Sequence, residues 1–254
     1  MSVMASFRLD GLTAVVTGAS SGLGAHLATV LAQAGADLVL AARKTERLAP
    51  LQARIGELGR TAHARALDVT DASSVADFFA SLPTVARVIV NNAGVTTTAS
   101  VLEQREADWD AVLDTNLKGA WLVAQQAAKA MIAAGVGGSI VNVASILGER
   151  VAGSVAPYCA SKAGLLQLTR SLALELARYD IRANALMPGY VATDLNRDFL
   201  ASASGDKLRA RIPTRRFGEL SDLDGPMLLL ASPAGRHMTG ACLAVDGGHL
   251  VSSL

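Results

Sequence analysis

Residues 13–24 read Thr-Ala-Val-Val-Thr-Gly-Ala-Ser-Ser-Gly-Leu-Gly, a short apolar run that leads directly into a glycine-rich turn. The run Thr13–Thr17 predicts a buried strand, and the residues from Leu23 onward predict a helix. Glycines let the backbone turn tightly and approach a ligand closely, and a helix N-terminus offers free N–H groups and a positive dipole end. The stretch therefore predicts a strand–turn–helix unit that binds a pyrophosphate, although a plain tight turn fits the same residues.

Outside this unit, apolar runs alternate with longer stretches of helical composition. The predicted strands are Thr13–Thr17, Asp37–Ala42, His63–Leu67, Arg87–Asn91, Ser139–Ala144, Arg182–Met187 and Cys242–Val245. The predicted helices are Leu23–Ala34, Glu46–Leu58, Ser73–Ala80, Glu106–Ala134, Pro157–Tyr179 and Ser221–Ala231. Such alternation predicts an α/β fold: residues 1–254 as a single-domain, Rossmann-type doubly wound parallel sheet of about seven strands, with helices on both faces. The stretch after the sixth strand breaks the rhythm, and we expect residues 189–217 to form a substrate lid.

Composition narrows the class of protein. The 254 residues are 51% apolar and carry a net charge of +1, with both signs interspersed, so no nucleic-acid partner is expected. No apolar run reaches ~18 residues and no signal peptide precedes the first strand, so no membrane segment is expected. Two cysteines and scattered histidines suit neither a disulfide framework nor a metal site. We expect a cytoplasmic protein without a metal.

A second informative stretch is Tyr158-Cys159-Ala160-Ser161-Lys162. Residues four apart share a helix face, so Lys162 is placed beside Tyr158 if the segment is helical. A neighbouring cation favours the phenolate and lowers the pKa of Tyr158, which suits a general acid–base near neutral pH. The same spacing also fits two neighbours on a helix surface.

Ser145 lies thirteen residues before Tyr158, and Asn116 lies in the long helix before it. Together with the glycine turn, these residues resemble the short-chain dehydrogenase/reductase family, over nearly the whole chain. The resemblance implies that Tyr158 is the acid–base, that Ser145 hydrogen-bonds the substrate carbonyl, and that Lys162 lowers the Tyr158 pKa and binds the nicotinamide ribose. It implies that Asn116 holds a water connecting Lys162 to solvent. A helix-capping role is the alternative for Ser145.

The resemblance also implies the cofactor contacts. Asp68 and Val69 would hold the adenine, the stretch from Asn91 to Gly94 would wall the adenosine, and Val191 and Thr193 would contact the carboxamide. For Thr193, capping a following helix is a second interpretation. The full set of expected cofactor residues is Gly18, Ser20, Ser21, Gly22, Leu23, Gly24, Arg43, Asp68, Val69, Asn91, Ala93, Gly94, Tyr158, Lys162, Pro188, Gly189, Val191 and Thr193.

The end of the second strand bears on the choice of cofactor. A carboxylate there holds a free ribose, whereas an arginine suits a 2′-phosphate. The strand ends Ala41-Ala42-Arg43-Lys44, so NADP(H) is favoured and NAD(H) stays possible. Alternatively, Arg43 is only a solvated charge at the start of a helix and does not bind the cofactor.

These features predict an enzyme that transfers a hydride between NADP(H) and a ketone or secondary alcohol. The pattern is most similar to 3-oxoacyl-carrier-protein reductases and their relatives, so a 3-oxoacyl thioester is one candidate for the small-molecule substrate, and the likeness does not fix the substrate. The alternatives are an NAD-dependent secondary alcohol or polyol dehydrogenase and a regulator that binds a dinucleotide without chemistry. Ile146, Leu147 and Val151 suggest an apolar pocket wall, with Glu149 and Arg150 available for polar recognition.

Two further groups have open interpretations. Arg209, Arg211, Arg215 and Arg216 form either a solvated lid or a surface for an acidic substrate. Trp109 and Trp121 lie on a helix that packs against a second subunit in the family, and a homotetramer is expected.

Overall fold

The computed structural model describes residues 2–193 and 196–252. Positions 194 and 195, which fall inside the predicted lid, lie outside the described residues. In the described part of the chain, seven parallel strands form one sheet in the order β3-β2-β1-β4-β5-β6-β7. The strands are β1 Thr13–Thr17, β2 Asp37–Ala42, β3 Ala62–Ala66, β4 Val88–Asn91, β5 Gly138–Val143, β6 Ile181–Pro188 and β7 Cys242–Val245. The predicted doubly wound parallel sheet is confirmed, with strand bounds that differ by a residue or so.

The strand order reverses between β1 and β4, which are direct neighbours in the sheet. In sheets of this kind the ligand binds outside the carboxyl ends of the strands at this reversal. The residues that follow β1 and β4 are Gly18 and Asn92, so the glycine turn lies at the expected position.

Helices cover both faces of the sheet. They are α1 Gly22–Gln33, α2 Ala49–Glu57, α3 Ala72–Ala80, α4 Glu106–Leu113, α5 Gly119–Ala133, α6 Ala156–Leu176, α7 Arg197–Leu200, α8 Ala203–Arg209 and α9 Asp224–Ala231. Short 3₁₀ turns occur at Val3–Phe7, Thr45–Leu48, Ile146–Gly148, Ala177–Tyr179, Leu220–Leu223, Pro233–Gly235 and His249–Val251. Among the described residues, no helix is both long enough and apolar enough to span a membrane.

Alternate residues along the strands feed two apolar clusters, one on each side of the sheet. Val16 and Leu40 pack in the cluster that contains Leu27 of α1 and Leu230 of α9. The residues that alternate with these along the strands, such as Val15 and Val39, face the opposite cluster. That cluster also includes Phe78, Val123 and Met131. Strands β1 and β2 are thus apolar and buried on both faces, as expected inside a parallel sheet, whereas the edge strand β3 is largely exposed.

The predicted helix Glu106–Ala134 is wrong in one respect. Residues Asp114–Lys118 form a π-helical turn between α4 and α5, in which the Gly119 N–H bonds to the Asp114 carbonyl five residues back. Wide turns of this type hold one extra residue and occur frequently at functional sites. Asn116, one of the predicted site residues, lies in the middle of this turn.

The predicted lid region contains helical turns that composition did not predict. α7 and α8 are four and seven residues long, and the Ser202 hydroxyl caps α8 by accepting a 3.3 Å hydrogen bond from the Gly205 N–H. Further along, Val191 and Gly218 form a parallel bridge that joins the two ends of the excursion. The excursion therefore begins and ends at one place beside β6.

Candidate active site

The glycine turn is shaped by close backbone approaches. Gly18 has a φ of +65°, a region that glycine adopts without strain. A Cβ on Gly24 would collide with the Gly18 carbonyl oxygen and with the Asn92 side-chain amide. Ser21 precedes α1 and, among the described residues, makes no side-chain capping bond, so backbone N–H groups at the start of α1 remain available to an anion.

Asn92 and Thr17 tie this turn to the end of β4. The Asn92 side chain donates to the carbonyl oxygens of Thr17 and Gly18 at 3.0 and 3.2 Å. The Thr17 hydroxyl accepts from the Asn92 and Ala93 N–H groups, both at 3.0 Å. Sequence reasoning noted Asn92 only as part of a wall, and the repeated Asn-Asn after a strand was the available signal for a polar clamp.

Asn91 has a different position from its neighbours. Its amide donates to the Ala120 carbonyl and to Asn142 Oδ1 at 3.0 and 2.9 Å, and the residue is buried inside the sheet. The side chain therefore stabilises the packing of α5 on the sheet, whereas Ala93 lies against Gly18 of the glycine turn and Gly94 lies against Asn116.

The third predicted contact region follows β3. The Asp68 carboxylate accepts hydrogen bonds from the N–H and hydroxyl of Thr70 at 3.0 and 2.7 Å, which fixes the loop. Val69 is buried against α5, where a Cβ on Gly119 would collide with its side chain. Both residues lie just beyond the strand rather than within it.

The end of β2 lies against the glycine turn. Ala41 pairs with Thr17 in the sheet register, and its carbonyl accepts a 3.3 Å hydrogen bond from the Ala19 N–H. Arg43 follows two residues later and is exposed. Among the described residues its guanidinium makes neither a hydrogen bond nor an ion pair. The unpaired Arg43 cation thus lies two residues after Ala41, the residue of β2 that contacts the glycine turn.

The stretch after β6 is held by backbone contacts. Gly189 donates to the Val245 carbonyl at 2.9 Å, and a Cβ at this glycine would collide with Asp246. The Thr193 N–H donates to Asn196 Oδ1 at 2.8 Å, and Asn196, not Thr193, precedes α7. The capping interpretation of Thr193 is therefore wrong. Thr193 instead lines a cavity of about 330 Å³ together with Gly22 of the glycine turn.

Ser145 and Tyr158 come together at the carboxyl end of β5. Ser145 caps the turn Ile146–Gly148, its hydroxyl oxygen accepting a 3.1 Å hydrogen bond from the Leu147 N–H. The capping interpretation is thus correct, and it leaves the hydroxyl proton free to be donated. Burial raises the pKa of Tyr158, a hydrogen bond with Ser145 acts in the opposite direction, and the nearby Cys159 and Tyr190 raise the pKa further.

Lys162 lies beside Tyr158 on α6, as its spacing predicts. Its ammonium nitrogen is 5.5 Å from the centre of the Tyr158 ring and donates a 2.8 Å hydrogen bond to the Val143 carbonyl. Burial lowers the pKa of Lys162 to about 8. Burial is the largest influence on the Tyr158 pKa and raises it, and the lowering effect expected from Lys162 stays a prediction.

Asn116 is almost fully buried and connects three segments. Its Oδ1 accepts from the Val95 N–H at 2.8 Å, and its amide donates to the Val95 carbonyl at 2.9 Å and to the Ser161 hydroxyl at 3.1 Å. The Ser161 hydroxyl in turn donates to the Tyr158 carbonyl at 2.8 Å. The π-helical turn thereby fixes the helix that carries Tyr158 and Lys162.

The predicted apolar wall does not form one surface. Ile146 belongs to the core at 1% exposure, whereas Val151 is 86% exposed. Tyr190 and His249 approach the site instead, with ring centres 5.9 Å apart. Neither periodicity nor spacing in the sequence marks the proximity of His249 to Tyr190.

Comparisons with known proteins agree with this geometry. The model of the family described as enoyl-(acyl carrier protein) reductase matches residues 18–249. A 2-dehydro-3-deoxy-D-gluconate 5-dehydrogenase of Escherichia coli (strain K12) is 40% identical over 256 residues, covering 98% of this chain and 99% of the relative. A 3-oxoacyl-(acyl-carrier-protein) reductase of Thermotoga maritima is 35% identical over 247 residues, covering 96% and 100%.

A solved structure is similar over the same length. The gluconate 5-dehydrogenase of Burkholderia cenocepacia J2315, crystallised with NADP and tartrate, superposes with a TM-score of 0.94 at 37% identity and covers 99% of this chain and 100% of that one. The family match, the relatives and the arrangement of Ser145, Tyr158 and Lys162 lead to one conclusion: the chain belongs to the short-chain dehydrogenase/reductase family of NAD(P)-dependent oxidoreductases, which interconvert alcohol and carbonyl groups.

Proposed function

We propose that this enzyme interconverts a secondary alcohol and a ketone on a polyhydroxylated carbon chain, with NADP(H) as cofactor. The observation that carries the proposal is the position of the Tyr158 phenol. Its hydroxyl forms a hydrogen bond with Ser145, and Tyr190, whose ring centre lies 5.9 Å from that of His249, is close enough to raise the Tyr158 pKa. A substrate rich in hydroxyl groups suits such a polar wall better than an acyl chain does.

The cofactor fits the groove at the strand reversal. A Cβ would fill the space at Gly18 and Gly24, and the start of α1 offers N–H groups to a pyrophosphate. We assign the pyrophosphate to the turn from Gly18 to Gly24 with Ser20 and Ser21, the adenosine to Asp68, Val69, Ala93 and Gly94, and the nicotinamide end to Pro188, Gly189, Val191 and Thr193. When bound, the nicotinamide supplies or accepts the hydride.

Tyr158 then handles the proton. Because burial raises its pKa, the side chain is a neutral phenol at neutral pH and donates a proton to the oxygen of a ketone. In the reverse direction, the phenolate removes the proton of the alcohol. Ser145 donates a hydrogen bond to the same substrate oxygen and so stabilises the charge that develops there.

Lys162 and Asn116 support this chemistry. Lys162 is buried with a pKa of about 8, so its ammonium form dominates at neutral pH and carries positive charge close to Tyr158. We assign it also to the nicotinamide ribose. Asn116 fixes α6 through Ser161, and the water-holding role that the family resemblance implies for Asn116 stays a prediction.

Arg43 supports NADP(H) over NAD(H). Its guanidinium is exposed and unpaired within the described residues, and the strand end before it has alanines where a carboxylate would bind the ribose hydroxyls. The Burkholderia relative was crystallised with NADP. Use of NAD(H) remains the alternative.

A homotetramer is supported by the helices outside the sheet. Trp109 on α4, Trp121 on α5 and Leu174 on α6 are exposed by 42%, 41% and 83%. Apolar surface of this kind is typical of subunit contacts. Sedimentation at micromolar concentration tests the tetramer, and a monomer would contradict it.

We further propose a cytoplasmic location, a single domain over residues 1–254 and a lid over residues 189–217.

A 3-oxoacyl thioester is the second candidate substrate, favoured by the relative from Thermotoga maritima. A turnover screen decides between the two. Hexitols and hexonates are offered with NADP⁺ and NAD⁺, and 2-ketoses and a 3-oxoacyl thioester with NADPH and NADH. We expect the highest kcat/KM with a polyhydroxylated substrate and NADP(H). Preference for the thioester, or absence of turnover with every pair, would overturn the proposal.

A further inference from the structure

The four arginines between α8 and the end of the lid differ in their contacts. Arg209 pairs with Asp206 at 2.7 Å, Arg216 pairs with Asp222 at 2.6 Å, and Arg215 donates to the Ala210 carbonyl. Arg211 is the exception. Within residues 2–193 and 196–252, its side chain makes neither a hydrogen bond nor an ion pair. One of the four cations is therefore left without a partner.

The backbone holds Arg211 in a defined place. The Arg211 N–H donates to the Leu208 carbonyl at 3.0 Å, and the next residue, Ile212, is buried. Ile212 lies against Gly247, and the Thr214 N–H donates to the Gly247 carbonyl at 3.2 Å. The segment is thus fixed to the turn after β7, which also carries His249.

Arg211 lies near the polar wall of the site, because Ile212 and Pro213 pack against Gly247 and Gly248, which precede His249. Burial raises the pKa of Tyr190 and lowers that of His249, and the Arg211 charge is close enough to lower both to a smaller extent. Tyr190 in turn lies close enough to Tyr158 to raise that residue's pKa. Going outward from the reacting oxygen, the side chains therefore come in this order: Tyr158, then Tyr190 and His249, then Arg211.

Charged groups of both signs surround His249, with arginines outnumbering carboxylates among those that shift its pKa. His249 is buried, and its Nδ1 lacks a hydrogen-bond partner among the described residues. Arg150 donates to the His249 carbonyl and to the Ser252 hydroxyl, so it is not neutralised by a carboxylate. The carboxylate of Asp246 accepts from the N–H groups of Gly248 and Leu250 at 2.8 and 2.7 Å. Asp246 keeps its negative charge, which acts to raise the pKa of His249, but it forms no ion pair with Arg211 within the described residues.

We propose that Arg211 binds a carboxylate at the end of the substrate remote from the reacting carbon, with Tyr190 and His249 forming the wall between that carboxylate and Tyr158. The proposal rests on the function proposed above and names the substrate class as a polyhydroxy acid. The Arg211 guanidinium forms no hydrogen bond or ion pair with the described residues, and its planar fork can bind both oxygens of a carboxylate.

The test compares two ligands that differ at one end. D-gluconate and D-glucitol share a six-carbon hydroxylated chain, but only gluconate carries a carboxylate. KM values are measured with NADP⁺ for the wild type and for Arg211→Gln, Arg211→Lys and Arg209→Gln. Arg209→Gln is the matched control, because Arg209 lies on the same segment but is paired with Asp206.

We expect Arg211→Gln to raise the ratio of the gluconate KM to the glucitol KM by about tenfold, the size of a charge-assisted contact at a partly solvated site. Arg211→Lys should recover part of this ratio because it restores the charge, and Arg209→Gln should leave the ratio unchanged. Rising salt should raise the gluconate KM of the wild type more than that of Arg211→Gln. An unchanged ratio in Arg211→Gln would overturn the assignment.

Ligand-binding measurements distinguish a failure of this inference from a failure of the proposed function. If neither ligand is turned over, calorimetric titration of each onto the NADP⁺ complex gives the same ratio as dissociation constants. Loss of the gluconate preference in Arg211→Gln would then support the carboxylate site even though the polyol chemistry had failed. Equal affinity of the wild-type complex for both ligands would reject the site.

Discussion

The ammonium nitrogen of Lys162 donates a 2.8 Å hydrogen bond to the carbonyl oxygen of Val143, the last residue of β5. Ser145 follows this residue by two positions, so the bond links the helix of Tyr158 directly to the strand that delivers Ser145. The ammonium is buried there, and its pKa falls from 10.5 to about 8. A buried cation of this kind makes the stability of the enzyme depend on pH.

The first prediction concerns that dependence. Between pH 8 and 10.5 the unfolded chain holds the Lys162 proton more tightly than the folded one, so stability rises with pH across this window. Lys162→Met removes the titration. The free energy of unfolding of the wild type should therefore gain about 3 kcal/mol relative to the variant between the two ends of the window.

Urea denaturation of both proteins from about pH 7 to about pH 11 measures this difference. Groups remote from Lys162 titrate equally in both proteins and cancel, and the same comparison in the Tyr158→Phe background removes the contribution of the neighbouring phenol. A difference that stays constant with pH would show that Lys162 titrates normally in the folded enzyme.

A second prediction concerns the acid–base. Tyr158→Phe removes the phenol hydroxyl and keeps the ring, so kcat should fall by about 10²–10⁴-fold while NADPH binding changes little. Steady-state turnover and a fluorescence titration of NADPH measure the two effects. Tyr179→Phe is the control, because Tyr179 lies at the surface beside Arg178. If Tyr158→Phe retained more than about a tenth of the wild-type rate with chemistry limiting, another group would have to supply the proton.

A third prediction concerns the cofactor phosphate. Arg43→Ala should raise the KM for NADPH by about tenfold or more and leave the KM for NADH nearly unchanged, because only NADPH carries the 2′-phosphate. Arg236→Ala, which removes another exposed arginine, should change neither value. Should the wild type prefer NADH, Arg43 would be a solvated helix-start charge.

A fourth prediction compares two helical glycines. Gly24→Ala places a methyl group against the Gly18 carbonyl and the Asn92 amide, so the turn must shift and NADPH affinity should fall. Gly56 lies in α2, and a methyl group there meets no atom within 4 Å in the described structure. Gly56→Ala should therefore raise stability by about 0.5–1 kcal/mol and leave NADPH affinity unchanged. Thermal melts and cofactor titrations of both variants measure these effects, and equal affinity losses would argue against the glycine-turn assignment.

Much of this arrangement was predictable from the sequence because it depends on local patterns. Short apolar runs fix the strands, and the glycine turn fixes where the sheet meets its ligand. The i, i+4 spacing correctly placed Lys162 beside Tyr158, but spacing carries no information about burial, and burial decides the pKa of both groups.

Other features depend on contacts between distant segments and could not be predicted. Arg211 looked like its three arginine neighbours, and only the acidic partners of Arg209 and Arg216 distinguish it. His249 and Tyr190 are 59 positions apart in the sequence. They come together because β6 and β7 are neighbours in the sheet. The short helices α7 and α8 contain Ser, Asp and Gly, which have weak helix propensity, so composition did not reveal them.

The π-helical turn at Asp114–Lys118 has a consequence for how this protein tolerates changes in length. Each residue of an α-helix advances the chain by about 100° around the axis, so deleting one residue from the turn would rotate α4 by that angle relative to α5. The buried stripe of α5, which includes Val123 and Met131, would then lose its alignment with Val112 of α4. The turn therefore sets the rotation of α4 relative to α5. A single-residue deletion there should be far more damaging than deletion of Leu102, which is 95% exposed in the segment before α4.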